Sequence, residues 1–182
     1  MADDDDAAVA TDDATATNAA PEIATRYGVP VTESSGQAVL HPRREHLAEL
    51  VMELRDEHGF GMCIDVTAVD YVAYELPRRL PASVEPERFE LVVGLLSHSS
   101  RERLRLRVQV PEADPVVPSL FDVHPGTEAL EREVYDMFGI RFEDHPDLTR
   151  ILMPEDWIGH PLRKDYAIGR IPVQFKGVEN TR

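Results

Sequence analysis

The side chains best equipped for chemistry gather in the C-terminal third of the chain. Asp144, His145, Asp147 and His160 could be drawn together around a divalent metal. Their spacing follows no helical or loop ligand pattern, and the prolines among them predict an extended segment in which histidines act as hydrogen-bonding residues. Glu131, Glu133 and Asp136 offer a second chemistry, general acid–base catalysis by paired carboxylates. On a helix Glu133 and Asp136 lie one turn apart while Glu131 points elsewhere, and Arg132 is at hand as counter-ion, so charge pairing is the expected use. The single cysteine, Cys63, has no histidine at a nucleophile's spacing. One thiol can neither frame a disulfide scaffold nor hold an iron–sulfur cluster, which needs about four thiolates. It is expected to be a small, inert packing residue. A Gly-rich dinucleotide fingerprint, a phosphate loop and a nucleophile elbow are all lacking. These residues describe a chain expected to carry out no chemistry by itself: no catalytic, cofactor-binding or metal site is assigned to it.

Several elements must position these side chains. Residues 1–21 are rich in Ala, Asp and Thr and are expected to form a disordered acidic leader. Ile23 to Gly36 is a transition, and Gln37–Leu40 a short strand. Pro42 opens a helix on which Leu47, Leu50, Val51 and Leu54 follow the helical period until Gly59. Met62, Ile64, Val66 and Ala68 then alternate with Cys63, Asp65, Thr67 and Val69, predicting a strand with one buried face. A Pro-rich connection follows, then a continuous apolar strand over Arg88–His98. Next comes a strand in which Leu104, Leu106, Val108 and Val110 alternate with Arg103, Arg105, Arg107 and Gln109. Like charges at every second position need neutralising, by acids of the same sheet or by an acidic partner. After a second Pro-rich link, Thr127 caps a helix in which Leu130, Val134 and Met137 form one side and which Gly139 ends. The order predicts an α+β domain over residues 22–140, a small mixed or mainly antiparallel sheet with flanking helices. Residues 141–182 are expected to form a long extended C-terminal segment that binds a partner.

Composition narrows the class of function. The chain carries a formal charge of −15, seven units of it in residues 1–22, leaving −8 for the rest. That balance argues against nucleic acid, whose phosphates need a basic footprint. No apolar run approaches the roughly 18 residues of a membrane span.

The stretch from Leu130 to Tyr166 also resembles a known family. Glu131-Arg132-Glu133, Asp136-Met137-Phe138-Gly139-Ile140, His145-Pro146-Asp147-Leu148 and Arg150-Ile151-Leu152 are similar to the signature of the C subunit of the proton-pumping NADH-quinone oxidoreductase, respiratory complex I. Gly159-His160-Pro161-Leu162-Arg163-Lys164-Asp165-Tyr166 resembles its second block, and Asp65-Val66-Thr67-Ala68-Val69-Asp70-Tyr71 an upstream strand. The likeness covers roughly residues 40–171. Thr149 stands where the family often has a basic residue. The resemblance implies a non-redox scaffold subunit of the peripheral arm, on the cytoplasmic face of the membrane. In that arm electrons pass from NADH through FMN and iron–sulfur clusters, held by other subunits, to quinone. It also implies an enzyme complex in which this chain holds the D subunit, the quinone-site protein related to the large subunit of NiFe hydrogenases, beside cluster-bearing subunits. Residues expected at that interface are Glu131, Arg132, Glu133, Asp136, Phe142, His145, Arg150, Trp157, His160, Arg163, Lys164 and Tyr166. The alternatives are an equivalent subunit of a complex fed by ferredoxin, deazaflavin or hydrogenase, and a stand-alone carboxylate or metal enzyme.

Overall fold

The computed structural model describes residues 23–167, so the acidic leader and the end of the C-terminal segment lie outside the described residues. Eight strands and two helices follow one another as β1 (Thr25–Arg26), β2 (Val29–Ser34), β3 (Gln37–Leu40), α1 (Leu47–Asp56), β4 (Met62–Asp70), β5 (Phe89–Ser97), β6 (Glu102–Val110), β7 (Val116–Pro118), α2 (Glu128–Phe138) and β8 (Arg141–Glu143). Six strands form one sheet in the order β1-β2-β3-β6-β5-β4. All its pairings are antiparallel except that of β3 with β6, where Ala38, Val39 and Leu40 face Leu104, Arg105 and Leu106. The sheet is mixed and the domain α+β, as the element order implied.

One face of the sheet makes the core. Leu91, Val93 and Leu95 of β5 and Leu104, Leu106 and Val108 of β6 join Leu47, Leu50, Val51 and Leu54 of α1 and Val134, Met137 and Phe138 of α2. Each set follows the period of its own element, two on the strands and three to four on the helices, which is why burial selects these conformations.

Strict alternation fails at the start of β4. The register shifts between Cys63 and Asp65, so one extra residue enters β4 against β5. The phase reverses there: Met62 and Ile64 are 46% and 41% exposed, while Cys63 turns towards the core on the same side as buried Val66 and Ala68. Burial pushes the Cys63 thiol up to about 11, so it stays protonated and inert at neutral pH.

On the other face the arginines of β6 divide. Arg107 donates to Glu90 Oε1 at 2.6 Å and Gln109 to Glu90 Oε2 at 2.7 Å, so a buried carboxylate of the same sheet neutralises the third arginine. Arg103 and Arg105 are exposed, and among the described residues neither pairs with an acid.

Two regions depart from the sequence reading. β2 occupies what reads as a transition, paired with β3 from Val31↔Leu40 to Ser34↔Gln37 through a turn in which Ser35 and Gly36 have positive φ. β7 and β8 form a small parallel pair, Val117 facing Phe142. Val116–Pro118 is too short and Pro-rich to announce a strand, and exists only because β8 returns alongside it.

Candidate functional site

The signature helix α2 grows from a 3-10 turn at Pro125–Thr127, and Thr127 itself has helical dihedrals with no capping side-chain bond. Its hydroxyl donates instead to Glu131 Oε1 at 2.8 Å, one turn on. Glu131 is wholly buried and also accepts from the Ser119 hydroxyl at 2.6 Å and the Leu120 amide at 2.8 Å. One carboxylate thereby satisfies three donors of the link that leads into the helix.

Asp136 does the same for the segment that follows the helix. Also fully buried, it accepts at Oδ2 from the amides of Ile151, Leu152 and Met153 at 3.1, 2.8 and 2.8 Å, and at Oδ1 from Arg150. Burial alone would raise its pKa. The three amides and the guanidinium outweigh that and hold the carboxyl below its usual range. Arg150 uses its other arm on the carbonyls of Trp157 and Gly159, both at 3.0 Å. Residues 150–159 are thus tied into a loop around a single ion pair.

Gly139 ends the helix with φ +74°, and the chain returns to cover it. A Cβ on Gly139 would stand 2.5 Å from His160 Nε2 and 2.6 Å from Arg163 Nη2, so only glycine admits this close approach. The returning segment caps the last carbonyls of α2: His160 Nδ1 donates to Asp136 O at 3.0 Å, the Leu162 amide to Met137 O at 3.0 Å and Arg163 Nε to Phe138 O at 2.6 Å. These are orphan groups of a helix terminus, satisfied by a later part of the same chain.

A second tie reaches the sheet. Asp70, at the end of β4, accepts from the Lys164 amide at 2.9 Å and pairs with Arg88 at 2.9 Å. Arg88 also pairs with Asp165 at 2.8 Å and with Glu112. Burial opposes ionisation of Asp70, and the bonds from Arg88, Lys164 and Val72 prevail, keeping its pKa low.

The residues expected at a partner surface therefore fall into two groups. Glu131, Asp136 and Phe142 are buried, while Arg150, His160 and Arg163 are half-buried and each makes hydrogen bonds within this chain. Arg132 reaches the Thr149 carbonyl at 3.2 Å and its hydroxyl at 2.9 Å, and a basic side chain at 149 could not accept the second of these bonds. Glu133 and Lys164 are exposed, and Trp157 and Tyr166 are half-buried. His145 donates from Nε2 to Glu128 O at 3.2 Å and accepts the Asp147 amide at Nδ1, which leaves neither ring nitrogen for a metal. The described residues bring three potential ligands together only at exposed Glu53, Glu57 and His58.

Sequence reasoning missed what the segment presents outward. Between the ties, Ile151, Leu152, Ile158 and Leu162 face solvent, Ile158 at 89% and Leu152 at 59%. Large aliphatic side chains held out on a fixed backbone mark a contact surface. The fold is thus an α+β core that holds out an apolar loop.

The model of the family described as "Respiratory-chain NADH dehydrogenase, 30 Kd subunit" matches residues 40–171. The chain is 47% identical over 151 residues to the NADH-quinone oxidoreductase C subunit of Saccharopolyspora erythraea, covering 82% of this chain and 57% of that relative. It spans little more than half the length of several such curated relatives. Among solved structures, the trypsin-resistant fragment (1–134) of Nqo5 is 37% identical with a TM-score of 0.58, covering 66% of this chain and 90% of that one. A chain of the membrane-bound sulfane sulfur reductase, an archaeal respiratory membrane complex, shares the fold at 20% identity and TM-score 0.57, covering 85% of this chain and 90% of that one. The chain belongs to the 30 kDa subunit family of the respiratory-chain NADH dehydrogenase. No helix among the described residues is long and apolar enough to cross a membrane.

Proposed function

We propose that this chain is a non-redox scaffold subunit of the peripheral arm of a proton-translocating NADH-quinone oxidoreductase, at the cytoplasmic face of the membrane. In this reading it holds the quinone-site subunit beside cluster-bearing subunits. FMN, iron–sulfur clusters and quinone belong to those other chains, and this one contributes shape. The observation that carries the proposal is the loop of residues 150–162, ordered by Asp136 and Arg150 while Leu152, Ile158 and Leu162 stand exposed. A loop already fixed before binding loses little entropy when a partner covers it, and its apolar area then becomes net affinity. Membership of the family supports the assignment.

The test is mild-detergent purification of the tagged chain from its native membranes. Flavin- and cluster-bearing dehydrogenase subunits should accompany it together with a quinone-site subunit. The pair Leu152→Asp and Ile158→Asp should release the latter while the isolated chain keeps its folded spectrum. Recovery of the chain alone from wild-type membranes would overturn the proposal. Donor-binding subunits of a ferredoxin- or hydrogenase-type complex would replace the NADH reading with that of a related assembly.

A further inference from the structure

Arg101, Arg103 and Arg105 are all exposed, on the β5–β6 turn and the outer side of β6. Arg105 reaches only the Gln37 side-chain oxygen, at 3.2 Å, and none of the three pairs with a carboxylate among the described residues. Across the sheet Arg103 lines up with Leu96 and Met62, and Arg105 with Gly94 and Asp65. Asp65, two strands away at about 10 Å, is too far to form a contact pair. Three arginines within roughly 13 Å of strand form a concentrated positive strip on a chain of charge −15.

The start of the described chain is fastened at the same end of β6. Arg26 of β1 pairs with Glu102 at 2.6 Å, and Glu102 precedes Arg103 along β6 with its side chain on the opposite face of the strand. Residues 1–22, which lead into that point, contain seven acids and no Lys or Arg. Asp13 is ten residues from Ile23, a reach of up to about 35 Å, so the acids from Asp3 to Asp13 can all be brought to the strip. Tethering makes the encounter intramolecular, with an effective concentration of order millimolar that a separate acidic protein must exceed.

We propose that the chain's own acidic segment, residues 1–22, docks on the Arg101–Arg103–Arg105 strip and occupies that face of the sheet. The contact is electrostatic, many carboxylates exchanging over three guanidinium groups, and it weakens as salt shortens the Debye length.

Paramagnetic relaxation in the full-length chain tests this, with a nitroxide on Ala10→Cys in a Cys63→Ala background and amide signals followed by NMR. At about 20 mM salt the amides of Arg101–Arg105 should broaden selectively, and at about 0.5 M salt they should recover. Neutralising the strip as R101Q/R103Q/R105Q should abolish the broadening, and asparagine at Asp3–Asp6, Asp12 and Asp13 should do the same with the strip intact. Broadening spread evenly over the surface, or unaffected by either set of substitutions, would overturn the proposal. So would broadening that arises only between a labelled and a separate isotopically enriched chain, since the occupant would then be a second copy.

Discussion

Asp136 and Arg150 form a buried ion pair whose remaining bonding capacity is spent on the backbone of residues 151–159, so one helix residue fixes the path of the segment beyond it. Removing either partner leaves a charge without its complement in a site that has little water. Asp136→Ala should destabilise the chain by about 3–5 kcal/mol, read from urea unfolding. Proteolysis should then open residues 150–162 before the sheet.

Gly139 offers a gentler probe of the same closure. Gly139→Ala forces a Cβ into φ +74° and into the space of His160 and Arg163. The expected cost is roughly 1–2 kcal/mol from the left-handed backbone, with a further loss if the returning segment is displaced. Amide exchange at Leu162 should quicken far more than exchange at Leu106, because the first bond belongs to the closure and the second to the sheet. Exchange unchanged at both sites would show that the segment packs independently of the helix end.

Glu131 holds the opposite end of α2. Glu131→Gln keeps its size but loses the charge that accepts from Ser119, Leu120 and Thr127. A drop of about 1–3 kcal/mol is expected in denaturant unfolding, while Glu133→Gln, at an exposed position, should change stability by less than about 0.5 kcal/mol.

Acid should unfold the protein in two stages. His41 is buried, and desolvation lowers its pKa to about 4. The unfolded chain therefore binds more protons from the ordinary histidine value of about 6.5 down to about 4, and stability falls as pH is lowered through that window. Asp70 and Asp136 have depressed pKa values, so their contribution is fully present above the ordinary carboxylate value and lost as pH falls below about 4. His41→Gln should reduce the first stage, to which His124 and His160, also lowered by burial, contribute, and leave the second. Calorimetric melting between pH 7 and 3 distinguishes the two.

Much of this was legible in the sequence where one local rule acted alone. α2 and its glycine terminus follow from helical spacing and a residue that tolerates positive φ. β5 and β6 follow from apolar run and alternation. What escaped depends on contacts distant along the chain. A glutamate in an amphipathic helix reads as surface, and only Thr127 four residues earlier hinted that Glu131 turns inward. The intrachain bonds of Arg150 and Arg163 escaped because nothing in their own neighbourhood announces the carbonyls and the carboxylate they meet. The bulge in β4 has no marker in Met62–Asp65, and it alone decides that Cys63 rather than Ile64 faces the core.

The parallel pairing of β3 with β6 has a consequence during synthesis. Ala38 waits for Leu104, 66 residues later, before one edge of its strand has a partner. At about 5–20 residues per second that interval is roughly 3–13 s, ample time for the β2–β3 hairpin to form and still show an unpaired edge with Val39 and Leu40 uncovered. The nascent chain is open to chaperones, or to pairing with a neighbouring copy on the same messenger, until the strand that completes it has left the ribosome.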